Sequence, residues 1–264
     1  MLVEQVWTGN SYRNFNYLIA CEETGEALAI DPLDHVKCLA RAKARGWDIT
    51  QILNTHEHGD HTGGNRPMIE ATGARLLAHH NAGARIDGID IGLSAGDVVK
   101  VGRSVELLAL DTPGHTMSHI CLLSKTDTPA LFSGDTLFNA GAGNCRGGGH
   151  PDELYKTFVR QLAELPEQTR VYPGHDYITN NLGFTLDREP HNSAANRLLK
   201  ELTAHHDPEH PLVTTLELEK SINVFFRLTN PEVVEKLRES FPDLPKDPSP
   251  HDVFIRLREL RNSW

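Results

Sequence analysis

Short apolar runs, each ended by glycine, proline or a polar cluster, alternate with amphipathic stretches over the first two thirds of the chain. Runs with strand character are Val3–Trp7, Asn16–Cys21, Ala27–Asp31, Ile49–Asn54, Arg75–His79, Val98–Val101, Val105–Asp111, Ile120–Ser124, Ala130–Ser133 and Arg170–Tyr172. Between them, Asp34–Arg45, Gly64–Thr72 and Asp152–Leu165 place apolar residues at helical spacing. Many strands mixed with crossover helices predict a layered α/β architecture, two sheets with helices outside them. After Tyr177 the pattern turns helical, with Asn192–His205, Thr215–Ser221, Pro231–Ser240 and Pro250–Arg261. The last of these has Ser249 as N-cap and Pro250 at its first position. The segment Phe241–Pro250 holds four prolines and reads as a connecting loop. The expected organisation is a catalytic domain over residues 1–177 and a small helical domain over 178–264.

Composition narrows the function classes. With 39% hydrophobic and 23% charged residues in 264, the chain has the make-up of an ordinary globular enzyme. A net charge of −10 argues against nucleic acid as the main partner, since polyanion binding rests on surplus lysine and arginine. It leaves room for a small anionic substrate held by a local basic pocket. No apolar run approaches the roughly 18 residues that span a bilayer, so no membrane partner is expected. The first ten residues carry Glu4 and lack a basic-then-apolar leader pattern, and the expected location is the cytoplasm. Cys21, Cys38, Cys121 and Cys145 show no Cys-x-x-Cys spacing and read as reduced thiols. Only Cys145, in a glycine-rich loop, lies near the chemistry described next.

The run Thr55-His56-Glu57-His58-Gly59-Asp60-His61 follows a short apolar strand and packs four candidate metal ligands into six residues. In an extended segment residues i and i+2 point the same way, so His56 and His58 can grip one ion together. Asp60 and His61 fall where the chain turns toward the next helix and can face a second ion. Each ion then needs partners from elsewhere in the chain, and His115, Asp135 and His175 follow later strands. A carboxylate can bridge two cations where a neutral imidazole cannot, which marks Asp135 as the shared ligand. Nitrogen and oxygen donors without thiolate suit zinc, iron or manganese and point to catalysis rather than a closed structural site. Two divalent ions, two carboxylates (Asp60 and Asp135) and a bridging hydroxide leave one net positive charge. That charge suits the oxyanion formed when hydroxide adds to a carbonyl, and Asp60 would orient the nucleophile. His79, His80, His205, His206 and His210 lie in polar contexts and are assigned nothing; His119 reads as a packing residue or a hydrogen-bond donor to the ligands.

The His-x-His-x-Asp-His signature, Gly114-His115-Thr116, Gly134-Asp135-Thr136 and Gly174-His175, in this order, resemble the metallo-β-lactamase superfamily. The resemblance covers residues 1–177 and implies an αββα sandwich. It also implies a supporting role behind the ligands for Asp31, in Ala29-Ile30-Asp31-Pro32. Within the superfamily the chain is most similar to the glyoxalase II, or hydroxyacylglutathione hydrolase, family. The residues that carry this are Gly134-Asp135-Thr136-Leu137-Phe138, Gly174-His175-Asp176-Tyr177 running into Asn180-Asn181-Leu182, and the tail Leu257-Arg258-Glu259-Leu260-Arg261-Asn262-Ser263-Trp264.

That resemblance implies hydrolysis of a glutathione thioester, S-D-lactoylglutathione or similar, to a hydroxy acid and glutathione, with the hydroxide held by two divalent metal ions. It places Tyr177 against the peptide part of the substrate and pairs Arg258 and Arg261, three apart on one helix face, with its terminal carboxylate. The loop Asn139–His150 departs from the pattern. Asn144 stands where the family has a basic residue, no aromatic follows it, and Arg146 is the replacement charge. Two alternatives remain open at this level: a glutathione persulfide dioxygenase with a single iron, and another hydrolase of the same fold such as a lactonase.

Overall fold

The computed structural model describes residues 1–264. The first sheet contains β1 (Leu2–Trp7), β2 (Phe15–Ala20), β3 (Glu26–Ile30), β4 (Asp48–Leu53), β5 (Arg75–His79) and β6 (Ile91–Leu93), in that order across the sheet. The second contains β7 (Val98–Val101), β8 (Val105–Asp111), β9 (Ile120–Ser124) and β10 (Ala130–Gly134), then β13 (Arg170–Pro173) and β14 (Thr214–Thr215). A small ribbon, β11 (Leu137–Phe138) with β12 (Gly141–Ala142), projects between β10 and β13 in sequence. The helices are α1 (His35–Arg45), α2 (Gly59–Thr62), α3 (Asn65–Thr72), α4 (Pro151–Arg160), α5 (Ile178–Arg188), α6 (Ser193–His205), α7 (Leu216–Ile222), α8 (Pro231–Ser240) and α9 (Pro250–Arg261).

Strand alternation explains the layering. Phe15, Tyr17 and Ile19 of β2 enter a core shared with Val99, Leu107, Ile120, Leu122 and Phe132 of the second sheet. Their neighbours Leu18 and Ala20 turn to the opposite face, where they meet Cys38 and Ala42 of α1 and Met68 of α3. On the far side of the second sheet, Cys121, Leu131 and Val171 pack against Leu154 and Phe158 of α4 and Val253, Phe254 and Leu257 of α9. The result is helices, sheet, sheet, helices, the αββα sandwich. No helix is long and apolar enough to cross a membrane.

Local sequence sets the helix ends. The Asp34 carboxylate accepts from Lys37 N at 3.0 Å to open α1, and Gly46 closes it at φ 69°. Ser249 and Asp252 form a reciprocal capping box at the start of α9. After Tyr177, Ile178, Leu182, Ala195, Leu202 and Ile222 form a small cluster with Ala140, whereas Phe184, Leu216, Val224, Phe225 and Val233 belong to the same apolar cluster as the outer face of the second sheet. The tail also supplies β14, which pairs antiparallel with β13 (Arg170 with Thr215, Val171 with Thr214). Two-residue strands such as β11, β12 and β14 carry no period to detect. α5, which starts just after Tyr177, was likewise not expected.

Parallel pairing positions the chemistry. β3 and β4 run parallel, as do β10 and β13, so the loops leaving their C-terminal ends emerge on the same edge. The antiparallel pair β8 and β9 presents its connection, residues 112–119, to that edge as well.

Because the tail and the second sheet share one core, Phe254→Ala is expected to cost about 3–5 kcal/mol of stability. In urea melts followed by tryptophan fluorescence and circular dichroism, both probes should shift together. Two separate transitions would show that the tail folds independently.

Candidate metal centre

Five of the seven expected ligands lie in loops after β4, β8, β10 and β13, and Asp60 and His61 lie in the single turn α2 that follows the first of these loops. Two donor sets form. His56 Nε2 lies 3.0 Å from His58 Nδ1, which lies 3.0 Å from His115 Nε2. His61 Nε2 lies 3.2 Å from His175 Nε2, and Asp60 Oδ2 is 3.6 and 3.5 Å from these two nitrogens. Asp135 stands between the sets: its Oδ1 is 3.4 Å from His61 Nε2, and its Oδ2 is 3.5 Å from His115 Nε2 and 3.2 Å from His175 Nε2. A metal–nitrogen bond of about 2.0–2.1 Å puts neighbouring tetrahedral ligands roughly 3.3 Å apart, which is the spacing seen.

The outer nitrogens of the five imidazoles decide what the inner ones can do. His115 Nδ1 donates to Asn144 O at 2.6 Å, His175 Nδ1 to Tyr12 O at 2.6 Å, and His58 Nε2 to Gly147 O at 3.0 Å. His61 Nδ1 donates to Asp31 Oδ2 at 2.9 Å. Thr55 Oγ1 gives its own proton to Asp31 Oδ2 at 2.6 Å and so accepts from His56 Nδ1 at 3.0 Å. Each ring therefore carries its proton outward and turns a lone pair inward. Lone pairs facing one another at these distances repel unless a cation lies among them. Asp135 Oδ1, buried and without any hydrogen-bond partner, has the same need. The residues present fit two divalent cations.

Burial and neighbouring charge tune the set in the metal-free chain. Burial, helped by nearby imidazoles, holds His56 well below the ordinary histidine value and brings His115 down to about 4. Burial would lower His61 too, but Asp135, Asp31 and Asp60 around it prevail and raise it to about 9. Burial would raise Asp135, yet His175 and His61 keep it well below the usual carboxylate range. Glycine at 174 is a steric requirement: a Cβ there would lie 2.4 Å from Asp135 Oδ1.

Asp31, expected behind the ligands, sits at φ 48° and also accepts from Thr55 N at 2.8 Å, so one carboxylate fixes the turn and two rings. His119 is fully buried and stacks on His56, and its Nε2 accepts from the backbone N–H of Asp135 at 3.1 Å. Of the two roles expected from sequence, packing or donation to the ligands, it packs, and toward Asp135 it accepts. Sequence reasoning passed over Asn14, whose Nδ2 holds Asp60 Oδ2 at 3.1 Å, and Glu57, which turns away from the ligands to accept from Thr116 and Ser118. An i+1 residue between two inward histidines points outward, and that signal was available for Glu57.

Beside His175 a cavity of about 240 Å³ is lined by Phe138, Asn144, Arg146, Tyr177, Arg258 and Arg261, among others. Tyr177 stacks on His175 with ring centroids 4.9 Å apart and donates to Tyr12 O at 2.9 Å. The two arginines differ. Arg261 is half-buried, reaches Asn181 Oδ1 at 3.2 Å and lies against Phe184 and Trp264. Arg258 is only 4% exposed and gives N–H groups to Ala142 O, Gly143 O and Asn262 Oδ1, while its Nε stays unpartnered. Asn144 uses its side chain to accept from Arg146 N and its main chain to hold His115.

Residues 18–175 match the profile of the metallo-beta-lactamase superfamily, and residues 176–264 that of the hydroxyacylglutathione hydrolase C-terminus. The hydroxyacylglutathione hydrolase of Nitrosococcus oceani is 67% identical over 264 residues, with 100% of both chains covered. Among solved structures, ETHE1 from Myxococcus xanthus aligns with a TM-score of 0.68 at 26% identity, over 94% of this chain and 93% of that one. TTHA1623, solved in a di-iron-bound form, aligns with a TM-score of 0.59 at 26% identity, over 84% of this chain and 99% of that one.

The raised His61 value has a sign that can be checked. Its proton stabilises the metal-free fold fully below about pH 6.5, and that stabilisation fades as pH rises through about 9. Metal uptake at pH 7.5 must displace the proton, so calorimetry in buffers of different ionisation enthalpy is expected to report release of about one proton. Uptake without proton release would refute the assignment. Replacing the supporting carboxylate, Asp31→Ala, is expected to weaken metal affinity about 10–100-fold.

Proposed function

The chain belongs to the hydroxyacylglutathione hydrolase family of the metallo-β-lactamase superfamily, and from that premise we propose a dinuclear site held by His56, His58, Asp60, His61, His115, Asp135 and His175. The protein is a thioester hydrolase of glutathione conjugates, and it binds divalent metal. Two such cations, when bound, supply a water with its pKa lowered toward about 7 and positive charge for the carbonyl oxygen. The observation that carries the proposal is the set of five outward-fixed tautomers around a shared, otherwise unpartnered Asp135. Both donor sets are complete, which supports two ions over the single iron of a persulfide dioxygenase. Nitrogen and oxygen donors without thiolate accommodate zinc, iron or manganese.

The chain's own residues do the rest. Asp60, oriented by Asn14, is the acceptor that aims the attacking water. Asp135 spans the two donor sets, and His119 and Asp31 fix its backbone and the ring of His61. A thiolate leaves without prior protonation, since an ordinary thiol has a pKa of about 8.5, so no general acid is required of the protein. We place the glutathione portion in the cavity beside Tyr177, with Arg261 and Arg146 supplying positive charge for its carboxylates. Four unpaired cysteines support a cytoplasmic setting.

The test is metal content and turnover measured on the same protein. Wild type is expected to hold two ions per chain and to split S-D-lactoylglutathione faster than other acyl thiols or lactones. Asp135→Asn should lose at least one ion and about 100-fold or more in turnover. Oxygen uptake with glutathione persulfide, without thioester hydrolysis, would overturn the proposal.

A further inference from the structure

We propose that Glu57 is a positioning residue for the first donor set, His56, His58 and His115, its carboxylate pinning the β8–β9 connection to the ligand motif. The inference rests on the metal-binding reading given above. Glu57 stands between two ligands of this set and points away from them, yet its side chain is only 5% exposed. Its Oε2 accepts from Thr116 Oγ1 and from Ser118 Oγ, each at 2.9 Å. These two residues follow the third ligand, His115, by one and three positions, and Met117 between them is 48% exposed. Two hydroxyls thus face inward onto one oxygen while the intervening side chain faces solvent. The other carboxylate oxygen lies 3.6 Å from Arg85 Nη1, which sets a positive charge beside the buried acid.

The connection has no apolar anchor of its own, since none of residues 112–119 enters an apolar cluster. Main-chain bonds tie its ends, Thr112 N to His119 O at 3.0 Å and Ile120 N to Thr55 O at 2.8 Å. Between those ends, side chains hold the ligand from both directions. Thr157 Oγ1 donates to Pro113 O at 2.8 Å before His115, and Glu57 takes the two hydroxyls after it. The glycine-rich loop covers another side through its main chain. Met117 N donates to Gly148 O at 3.2 Å, His150 N donates to Gly114 O at 2.9 Å, and a Cβ at Gly149 would lie 2.2 Å from His115 O. Glu57 is therefore the side chain by which the His56–His58 segment grips the loop that carries His115. A carboxylate suits this task, because it accepts from two hydroxyls at once and more strongly than a neutral group does. The three rings meet within 3.0 Å steps, so a small shift of the loop opens the whole set.

Glu57→Ala, Glu57→Gln, the pair Thr116→Val with Ser118→Ala, and all three apolar changes together are compared with wild type. The readouts are metal titration of the metal-free full chain, proton NMR of the downfield His115 Nδ1 resonance, and kcat and KM. Glu57→Ala should weaken the affinity for one ion about 10–100-fold and leave the other at its wild-type value. It should also shift or broaden the His115 resonance and lower kcat, with KM changed less than about twofold. Glu57→Gln, whose amide oxygen can still accept from both hydroxyls, should recover most of the affinity and return the resonance toward its wild-type position. Removing the two hydroxyls should reproduce the loss, and adding Glu57→Ala to that chain should weaken binding little further, because the groups act as one unit. If Glu57→Ala binds both ions at wild-type affinity with an unmoved resonance, or weakens both ions equally, the carboxylate only stabilises the fold and the inference is wrong. Should that variant fail to fold, the chain lacking the two hydroxyls decides between the same outcomes. A wild type holding one ion would break the dinuclear reading, and the His115 resonance of the variants would still decide for or against Glu57.

Discussion

Five imidazole lone pairs turned toward one another, around a carboxylate with no other partner, are the constraint on which the structure is built. Without a cation the inward lone pairs repel, a proton on His61 relieves part of that repulsion, and the fold holds the rest by tying the far side of every ring to a fixed acceptor. Those acceptors come from separate parts of the chain: Tyr12 before β2, Asp31 after β3, Thr55 after β4, and Asn144 and Gly147 in the glycine-rich loop. The two-sheet core matters to function because it brings those loop ends to one edge and keeps them there. Metal affinity and fold are thus expected to be coupled through these acceptors.

The clustering of the candidate ligands was legible because their identities are side-chain identities in a dense local pattern, placed after strands whose alternation is plain. Asp31 was legible only by resemblance, since nothing in its own neighbourhood marks it as an acceptor. The remaining support was hidden for a physical reason. Tyr12, Asn144 and Gly147 act through backbone carbonyls, which every residue possesses, so sequence carries no trace of the role. Arg258 and Arg261 line one cavity, but helical spacing does not reveal that Arg258 also binds a loop main chain. The long strands and the helices expected from spacing fall within a few residues of expectation, whereas the 11-residue α5 was missed and two-residue strands have too few positions to show a period.

The tail is more than a lid over the cavity. Its apolar residues complete the outer face of the second sheet, and its polar ones, Asn181, Glu219, Asn223 and Arg258, occupy the backbone groups of a segment with little side chain of its own. Small residues in that segment allow close approach to the ligands, and the tail provides the order that such residues lack.

The profiles of the two family portions meet at residues 175 and 176, yet β14 lies beyond that junction and hydrogen-bonds to β13 before it. A chimera that joined this N-terminal portion to a foreign tail at the profile boundary would inherit an unpaired sheet edge and a mismatched backbone cradle. A replacement tail must therefore bring its own edge strand and docking residues along with the helices. Changes of acyl or thiol preference are correspondingly steered toward point substitutions in the cavity wall.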